Sequence, residues 1–192
     1  MYLINKLTCC LALFLISFTQ LYSQSKPLDL LSPNGEIKVS ITMSDKIYYS
    51  LSGNGTELLT NDHLMLSLAN ETLGQNPKLI TTKKAKGSEV IKPFISLKYA
   101  IVQNDYNSLL LSFKGNYSVE FRAFDDGIAY RFSTSKEGEM EVMNEDLSLH
   151  FPSDYTLHLL QPNGFKTGYE EPYTHISSSN WKPKIKCPPC PC

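Results

Sequence analysis

Cysteine is absent from the whole central part of the chain. The five cysteines are Cys9 and Cys10 near the amino terminus and Cys187, Cys190 and Cys192 at the carboxyl terminus. Residues 24–186 contain none, so the fold does not depend on disulfide bonds. The three C-terminal thiols are also too few for a four-ligand zinc site, because no second cysteine pair lies in the central part.

A large net charge of either sign is missing as well. The chain has 18 lysines and arginines against 19 aspartates and glutamates, which gives a formal net charge of −1. Proteins that hold nucleic acids by their phosphates need a surplus of basic side chains. The composition therefore argues against a nucleic-acid partner.

Long apolar runs are missing after the amino terminus. Residues 7–18 read LTCCLALFLISF, Lys6 precedes them, and Ser23 supplies a small residue at a cleavage position. This run is shorter than the stretch of about 20 apolar residues that spans a membrane. Residues 1–23 are therefore predicted to be a secretory signal peptide. We expect no membrane span in the mature chain and export to a bacterial periplasm.

Helical signals are nearly absent, whereas strand signals recur. No window carries an apolar stripe at i, i+3, i+4 and i+7 with caps. Alternating apolar and polar residues predict strands at 37–42, 46–51, 63–68, 78–82, 97–102, 109–113, 118–124, 128–133, 147–150 and 156–160. The polar and basic segment 81–89 is predicted to be a solvated loop. This spacing predicts an all-β fold, an antiparallel β-sandwich.

The most specific local signal is YSVEFRAFDDGIAYRF at residues 117–132. An Asp-Gly pair between two such runs favours a type I′ hairpin, with Asp126 and Gly127 as the loop residues. This register places Arg122 opposite Arg131, where like charges repel. Three interpretations stay open: acidic neighbours or solvent neutralise the pair, a carboxylate-rich partner meets it, or the turn differs.

FRAFDDGIAYRF resembles a motif in the N-terminal domain of glycoside hydrolase family 97, the bacterial α-glucosidases and α-galactosidases. Residues 31–41 and 46–59 resemble the first hairpin of that domain, and GYEEPYTH at 168–175 resembles its Tyr-Glu segment. The resemblance covers about residues 28–176. It implies a β-super-sandwich of the galactose-mutarotase type, and we expect this domain at residues 24–176.

The resemblance implies that the catalytic residues lie outside this chain. Glycoside hydrolysis needs two carboxyl groups beside the scissile bond, and the family carries them on a (β/α)8 barrel. A barrel takes about 250 residues, so no catalytic pair is assigned here. We expect a non-catalytic, carbohydrate-associated domain that packs on such a barrel, with an α-glucoside or an α-galactoside as the sugar and no hydrolysis by the chain alone.

The resemblance also implies one metal ligand. In the family, a glutamate of the N-terminal domain joins barrel carboxylates around a calcium ion. The matching residue is Glu170, with Glu171 as the alternate. Calcium takes six to eight oxygen ligands, so we expect no tightly bound calcium in this chain alone.

Two other functions stay open. A mutarotase-like sugar isomerase needs a histidine and a carboxylate beside a sugar ring. His150 and His158 are the candidates, and eight residues of separation could place them on neighbouring strands of a hairpin. A sandwich that only binds a partner protein would instead expose a large apolar patch.

The last residues, 177–192, depart from the strand pattern. SSSN leads into WKPKIKCPPCPC, whose prolines exclude a regular helix or a central strand. This stretch does not resemble the continuation of the family. We therefore expect an irregular tail that marks a truncation.

Overall fold

The computed structural model describes residues 26–95, 98–161, 168 and 170–182. The predicted signal peptide and the three C-terminal cysteines lie outside these residues. The strands are β1 (Leu28–Leu31), β2 (Ile37–Met43), β3 (Ile47–Gly53), β4 (Thr56–Leu68), β5 (Thr72–Leu73), β6 (Leu79–Ile91), β7 (Val102–Phe113), β8 (Tyr117–Phe124), β9 (Gly127–Thr134), β10 (Val142–Leu147), β11 (Thr156–Leu159) and β12 (Thr174–Ser177), and a 3₁₀ turn follows at Ser178–Asn180. In the part of the chain that the structure describes, no helix has the length and apolar character needed to cross a membrane.

The strands form an antiparallel sandwich, as the alternation predicts. One sheet has the order β1-β2-β3-β4-β10, with β5 on β4, and the other has the order β6-β7-β8-β9. β11 and β12 form a separate two-stranded sheet. The two larger sheets share one apolar core, formed by Leu30, Val39, Ile41, Ile47, Tyr49, Leu64, Leu73, Leu109, Leu111, Phe113, Tyr117, Val119, Phe121 and Ala123.

The loop of the β8–β9 hairpin lies one residue earlier than predicted, so the pairing of the two strands shifts by two residues. Phe124 pairs with Gly127, so Asp125 and Asp126 are the loop residues. Gly127 begins β9. Asp125, Asp126 and Gly127 are not among the described residues with a positive φ. The prediction of a type I′ turn at Asp126-Gly127 is therefore wrong.

Charge pairing explains the shift. Arg131 lies opposite Glu120, and Arg122 lies opposite Ala129. The Glu120 carboxylate accepts from the Arg131 guanidinium at 2.9 Å and from that of Arg122 at 3.2 Å. Both registers keep the apolar residues of β8 and β9 on one face, so alternation does not choose between them, and the opposite charges favour the observed register. The predicted pair of facing arginines does not form.

The prediction of a loop at residues 81–89 is also wrong. This segment lies inside β6 and pairs with β7 along its whole length. Every residue of β6 except Gly87 is exposed, so the strand has no buried face that alternation could reveal. Backbone pairing to β7, rather than burial, holds it in the sheet.

Two other predicted strands are displaced. β7 begins at Val102, so residues 98–101 of the predicted strand 97–102 form no strand, and residue 97 lies outside the described residues. β10 ends at Leu147, where the predicted strand 147–150 begins.

The β6–β7 hairpin extends beyond its sheet. β8 pairs with β7 only from Asn107 onward, so the earlier residues of β7 pair with β6 alone. We call residues 90–95 and 98–102 the hairpin tip. Its large apolar residues are all exposed: Val90, Ile91, Phe94, Ile95, Tyr99, Ile101 and Val102.

Candidate functional site

Ionisable side chains gather where β4 meets β10. We call this group the β4–β10 seam; it consists of Asp62, His63, Asp146, Ser148 and His150. β10 pairs with β4 as far as Leu147, opposite Leu64. The chain then keeps following β4, because the Ser148 N–H donates to the His63 carbonyl at 3.3 Å and the Thr60 N–H donates to the His150 carbonyl at 3.0 Å.

Asp62 is fully buried, which is rare for a carboxylate. A β-bulge accompanies this position: Thr60 and Asn61 lie between the pairs Tyr49–Asp62 and Leu51–Leu59, where β3 has only Ser50. Asn61 has a φ of 51°, and its N–H donates to the Ser50 hydroxyl at 3.0 Å. Bulges of this kind re-aim neighbouring side chains, and this one changes the alternation between Leu59 and Asp62, whereas Asp62 keeps the phase of Leu64 on the inner face.

The two oxygens of the Asp62 carboxylate differ in their hydrogen bonding. Its Oδ1 accepts from the His150 backbone N–H at 2.5 Å and lies 2.7 Å from the His150 ring Nδ1. Its Oδ2 is buried and has no hydrogen-bond partner among the described residues. The His150 side chain is 60% exposed. The pair therefore links the interior of the sandwich to solvent.

His63 lies on the opposite face of β4 and joins several polar groups. Its Nδ1 is 3.0 Å from the Ser148 hydroxyl, and its Nε2 is 3.1 Å from the Asp146 carboxylate and 3.2 Å from the Lys46 ammonium. The Ser148 oxygen also accepts the His63 backbone N–H at 3.1 Å. A serine nucleophile needs an oxygen that is free to attack, whereas this oxygen bridges two segments of backbone. We interpret the contacts as cross-links of the seam.

Two tyrosines stand beside carboxylates on the inner side. The Tyr130 hydroxyl of β9 donates to Glu145 of β10, so this bond joins the two sheets. Burial, followed by this carboxylate, raises the pKa of Tyr130. Burial, followed by the charge of Asp62, raises the pKa of Tyr49 to about 12. Both phenols therefore stay protonated and can donate hydrogen bonds at neutral pH.

Two cavities lie away from the seam. One of about 430 Å³ is lined by Asp29, Leu30, Leu31, Lys84, Ala85, Lys86 and Asn107. The other, of about 330 Å³, is lined by Ser112, Phe113, Asn116, Tyr117, Ser118, Ser133, Thr134 and Ser135. Neither cavity includes a residue of the seam, so neither brings a sugar-sized space to His150 and Asp62.

The glutamates predicted from the resemblance lie in the connection between β11 and β12. Glu170 is exposed and its side chain lies beside Gly168, and Glu171 is half-buried. Carboxylate oxygens suit calcium, but one glutamate supplies only a fraction of its ligands. In the described residues, no group of three or more His, Cys, Asp or Glu side chains is arranged to hold a metal ion. The assignment of Glu170 stays a prediction.

The two predicted histidines are not neighbours. His150 pairs with Asp62, whereas His158 lies opposite His175 in the β11–β12 hairpin. The possible arrangement of His150 and His158 on one hairpin is therefore not formed.

Sequence reasoning did not find Asp62, although a signal was present. Asp62 has the same parity as Leu64 and Leu66 in the run DHLMLSL, and this alternation places it on the apolar face of β4. An acidic residue in phase with a buried face is a candidate for a buried polar contact.

Comparison with known proteins identifies the domain. The family model for the glycosyl-hydrolase 97 N-terminal domain matches residues 30–190. The chain belongs to this family.

Its relatives are much longer proteins. A retaining alpha-galactosidase from Bacteroides thetaiotaomicron is 39% identical over 133 residues, which are 68% of this chain and 20% of that protein. A family 97 enzyme from Pseudoalteromonas sp. strain K8, solved with acarbose, matches with a TM-score of 0.66 at 20% identity over 78% of this chain and 24% of its own. A beta-arabinopyranosidase structure matches with a TM-score of 0.68 at 23% identity over 77% of this chain and 26% of its own. The chain thus spans a fifth to a quarter of these proteins, and at such identities the structures establish the fold alone.

Proposed function

We propose that this chain is the non-catalytic N-terminal domain of an exported family 97 glycosidase, and that it packs on a catalytic barrel. Membership of the family supports the domain assignment. The relatives' greater length supports a second, larger unit that carries the chemistry.

The observation that carries the packing proposal is the hairpin tip. Its seven exposed apolar side chains are close in sequence. They lie at the end of a two-stranded extension, where β8 no longer pairs with β7. Contiguous apolar surface on a protein marks an interaction site. A large catalytic unit, of the kind that the relatives' length leaves room for, is the occupant that we propose.

Three further features belong to the same proposal. The bound partner is a carbohydrate, as the acarbose and panose complexes of the Pseudoalteromonas family 97 enzyme support. Glu170, or Glu171 next to it, lends one oxygen ligand to a calcium ion that the barrel completes; the ion would polarise groups at the sugar. Residues 1–23 direct export to the periplasm. Cell fractionation, followed by sequencing of the N-terminus of the mature protein, tests this.

A chimeric enzyme tests the packing proposal. This chain replaces the matching segment of the Bacteroides alpha-galactosidase, and hydrolysis of an aryl α-galactoside and the melting temperature are measured. We expect hydrolysis by the chimera and none by the chain alone. Saturable hydrolysis by the pure chain would show that it is not a non-catalytic domain.

Two isoleucines give a matched pair for the surface. Ile95 at the tip and Ile80 at the other end of β6 are 68% and 63% exposed. We expect Ile95→Ser to lower the melting temperature of the chimera by several degrees and Ile80→Ser to leave it unchanged. Equal responses of the two variants would exclude the hairpin tip as the contact with the barrel.

A second candidate, a mutarotase-like sugar isomerase, is favoured by one observation, the contact between His150 and Asp62. A carboxylate on Nδ1 orients an imidazole for general base work through its other nitrogen. Polarimetry of freshly dissolved galactose and glucose, which follows the interconversion of their anomers, distinguishes an isomerase from a non-catalytic domain. Acceleration that His150→Gln abolishes would favour the isomerase, and no acceleration by the wild type would exclude it.

A further inference from the structure

The β11–β12 hairpin brings two imidazole rings into direct contact. His158 and His175 lie opposite each other, and their Nδ1 atoms are 2.6 Å apart. The ring centroids are 4.5 Å apart with the planes nearly perpendicular. Both residues are exposed, so the contact forms at the surface rather than under packing pressure from a core.

The backbone holds this pair in place. The ladder pairs Thr156 with Ser177, Leu157 with Ile176 and Leu159 with Thr174, on both sides of the histidines. Asp154 fastens the open end, because its carboxylate accepts from the hydroxyls of Ser177, Ser178 and Ser179 and from the Ser179 N–H. These four donors occupy Asp154, so it does not compete for the imidazoles.

The other two histidines of the chain are used differently. Both ring nitrogens of His63 lie against hydrogen-bonding groups, including the Asp146 carboxylate, and the Nδ1 of His150 lies against Asp62. In contrast, the described contacts of the 158–175 pair place nitrogen against nitrogen with no carboxylate between them. When both imidazoles are neutral, one Nδ1–H points at the Nδ1 of the other ring. A metal ion can take the place of this proton between the two nitrogens.

We propose that His158 and His175 form a bidentate site for a transition-metal ion such as Cu²⁺, Ni²⁺ or Zn²⁺. Imidazole nitrogen is a preferred ligand of these ions. Zinc–nitrogen bonds of about 2.0–2.1 Å at a tetrahedral angle need nitrogens about 3.3 Å apart. Exposed side chains reach this separation by small rotations. The ring that donates its Nδ1 proton changes tautomer to Nε2–H, so two neutral rings release no net proton.

The position of the pair gives the site a structural consequence. The connection between β11 and β12 begins after Leu159 and ends before Thr174, and it contains Glu170 and Glu171. A metal ion on the two histidines ties the two ends of this connection together. The site differs in ligand chemistry from the oxygen site proposed for calcium, so the two proposals fail independently.

Titration with Cu²⁺ alone tests the site. The full chain is used with its five cysteines replaced by serine, because thiolates at the carboxyl terminus compete for the same ions. We expect one equivalent to bind, with electron paramagnetic resonance showing two nitrogen ligands. His158→Gln and His175→Gln should each weaken binding at least tenfold, and the matched control His150→Gln should not.

A measurement on the unsubstituted histidines guards against misfolded variants. Zn²⁺ should shift the ring ¹⁵N resonances of His158 and His175 and leave those of His63 and His150 unchanged. Binding that survives in the double variant His158→Gln/His175→Gln, a single nitrogen ligand in the spectrum, or shifts at His63 and His150 instead would each overturn the proposal.

Discussion

β8 and β6 belong to the same sheet and are stabilised in different ways. In β8, buried and half-buried residues alternate without exception, and Val119, Phe121 and Ala123 reach the core. In β6, no residue is buried, and the positions opposite Leu109 and Leu111 are Lys84 and Thr82. Lysines that point inward on an edge strand prevent pairing with another chain.

The contrast separates two uses of a sheet. β8 contributes side chains to the core, so its stability comes from burial. β6 contributes backbone hydrogen bonds and extends to the hairpin tip, away from the core. It therefore serves as an arm that presents the apolar surface of the tip. We therefore expect substitutions in β8 to unfold the domain, and substitutions at the end of β6 to affect partners and leave the fold intact.

The largest effect should come from the core of β8. Phe121→Ala removes a fully buried ring that contacts Tyr49 across the sandwich and Tyr130 on the neighbouring strand. Such truncations cost about 3–5 kcal/mol, measured as the free energy of unfolding in urea. The control Ile91→Ala, at the end of β6, should cost less than about 1 kcal/mol. A similar loss in both variants would contradict the division between core and arm.

A second large effect is expected at the seam. Asp62→Ala leaves the His150 N–H without its acceptor and opens space at a fully buried position. We expect a loss of about 1.5–3 kcal/mol in urea unfolding, the range for hydrogen bonds to a charged group. Asp146→Ala should cost under about 1 kcal/mol, because its contact with His63 is partly exposed. Equal losses in the two variants would contradict the conclusion that the burial of Asp62 makes its contacts the stronger ones.

Two hairpin glycines should differ in their response to substitution by valine. Gly115, between β7 and β8, has a φ of 96°, which a β-branched residue resists. Gly127 is not among the residues with positive φ, and a β-carbon there would meet nothing within 4 Å. We expect Gly115→Val to cost about 1–3 kcal/mol and Gly127→Val to stay within about 0.5 kcal/mol. A strong loss with Gly127→Val would restore the turn that the sequence motif suggested.

The same comparison explains how far sequence reasoning reached. Alternation identified β2, β8 and β9 because one face of each strand packs on the core. It found only the first part of β6, within the predicted strand 78–82, and missed the rest of that strand, where neither face is buried. It also cannot choose between hairpin registers that differ by a shift of the turn. Glu120 opposite Arg131 was the available signal for the register. The contact between Asp62 and His150 joins residues 88 positions apart, and only the fold brings such residues together.

The smallest effect should be that of calcium on this chain. Glu170 is exposed, and the described residues supply no group of three ligands around it. The remaining oxygens would come from the barrel, so we expect calorimetry to find no site tighter than about 1 mM, the weak end of calcium modules. In the chimera with the alpha-galactosidase, tight binding should appear, and Glu170→Gln should weaken it more than Glu171→Gln. Tight binding by the chain alone, indifferent to Glu170→Gln, would refute a shared site. A larger loss with Glu171→Gln would move the ligand by one residue and keep the rest of the proposal.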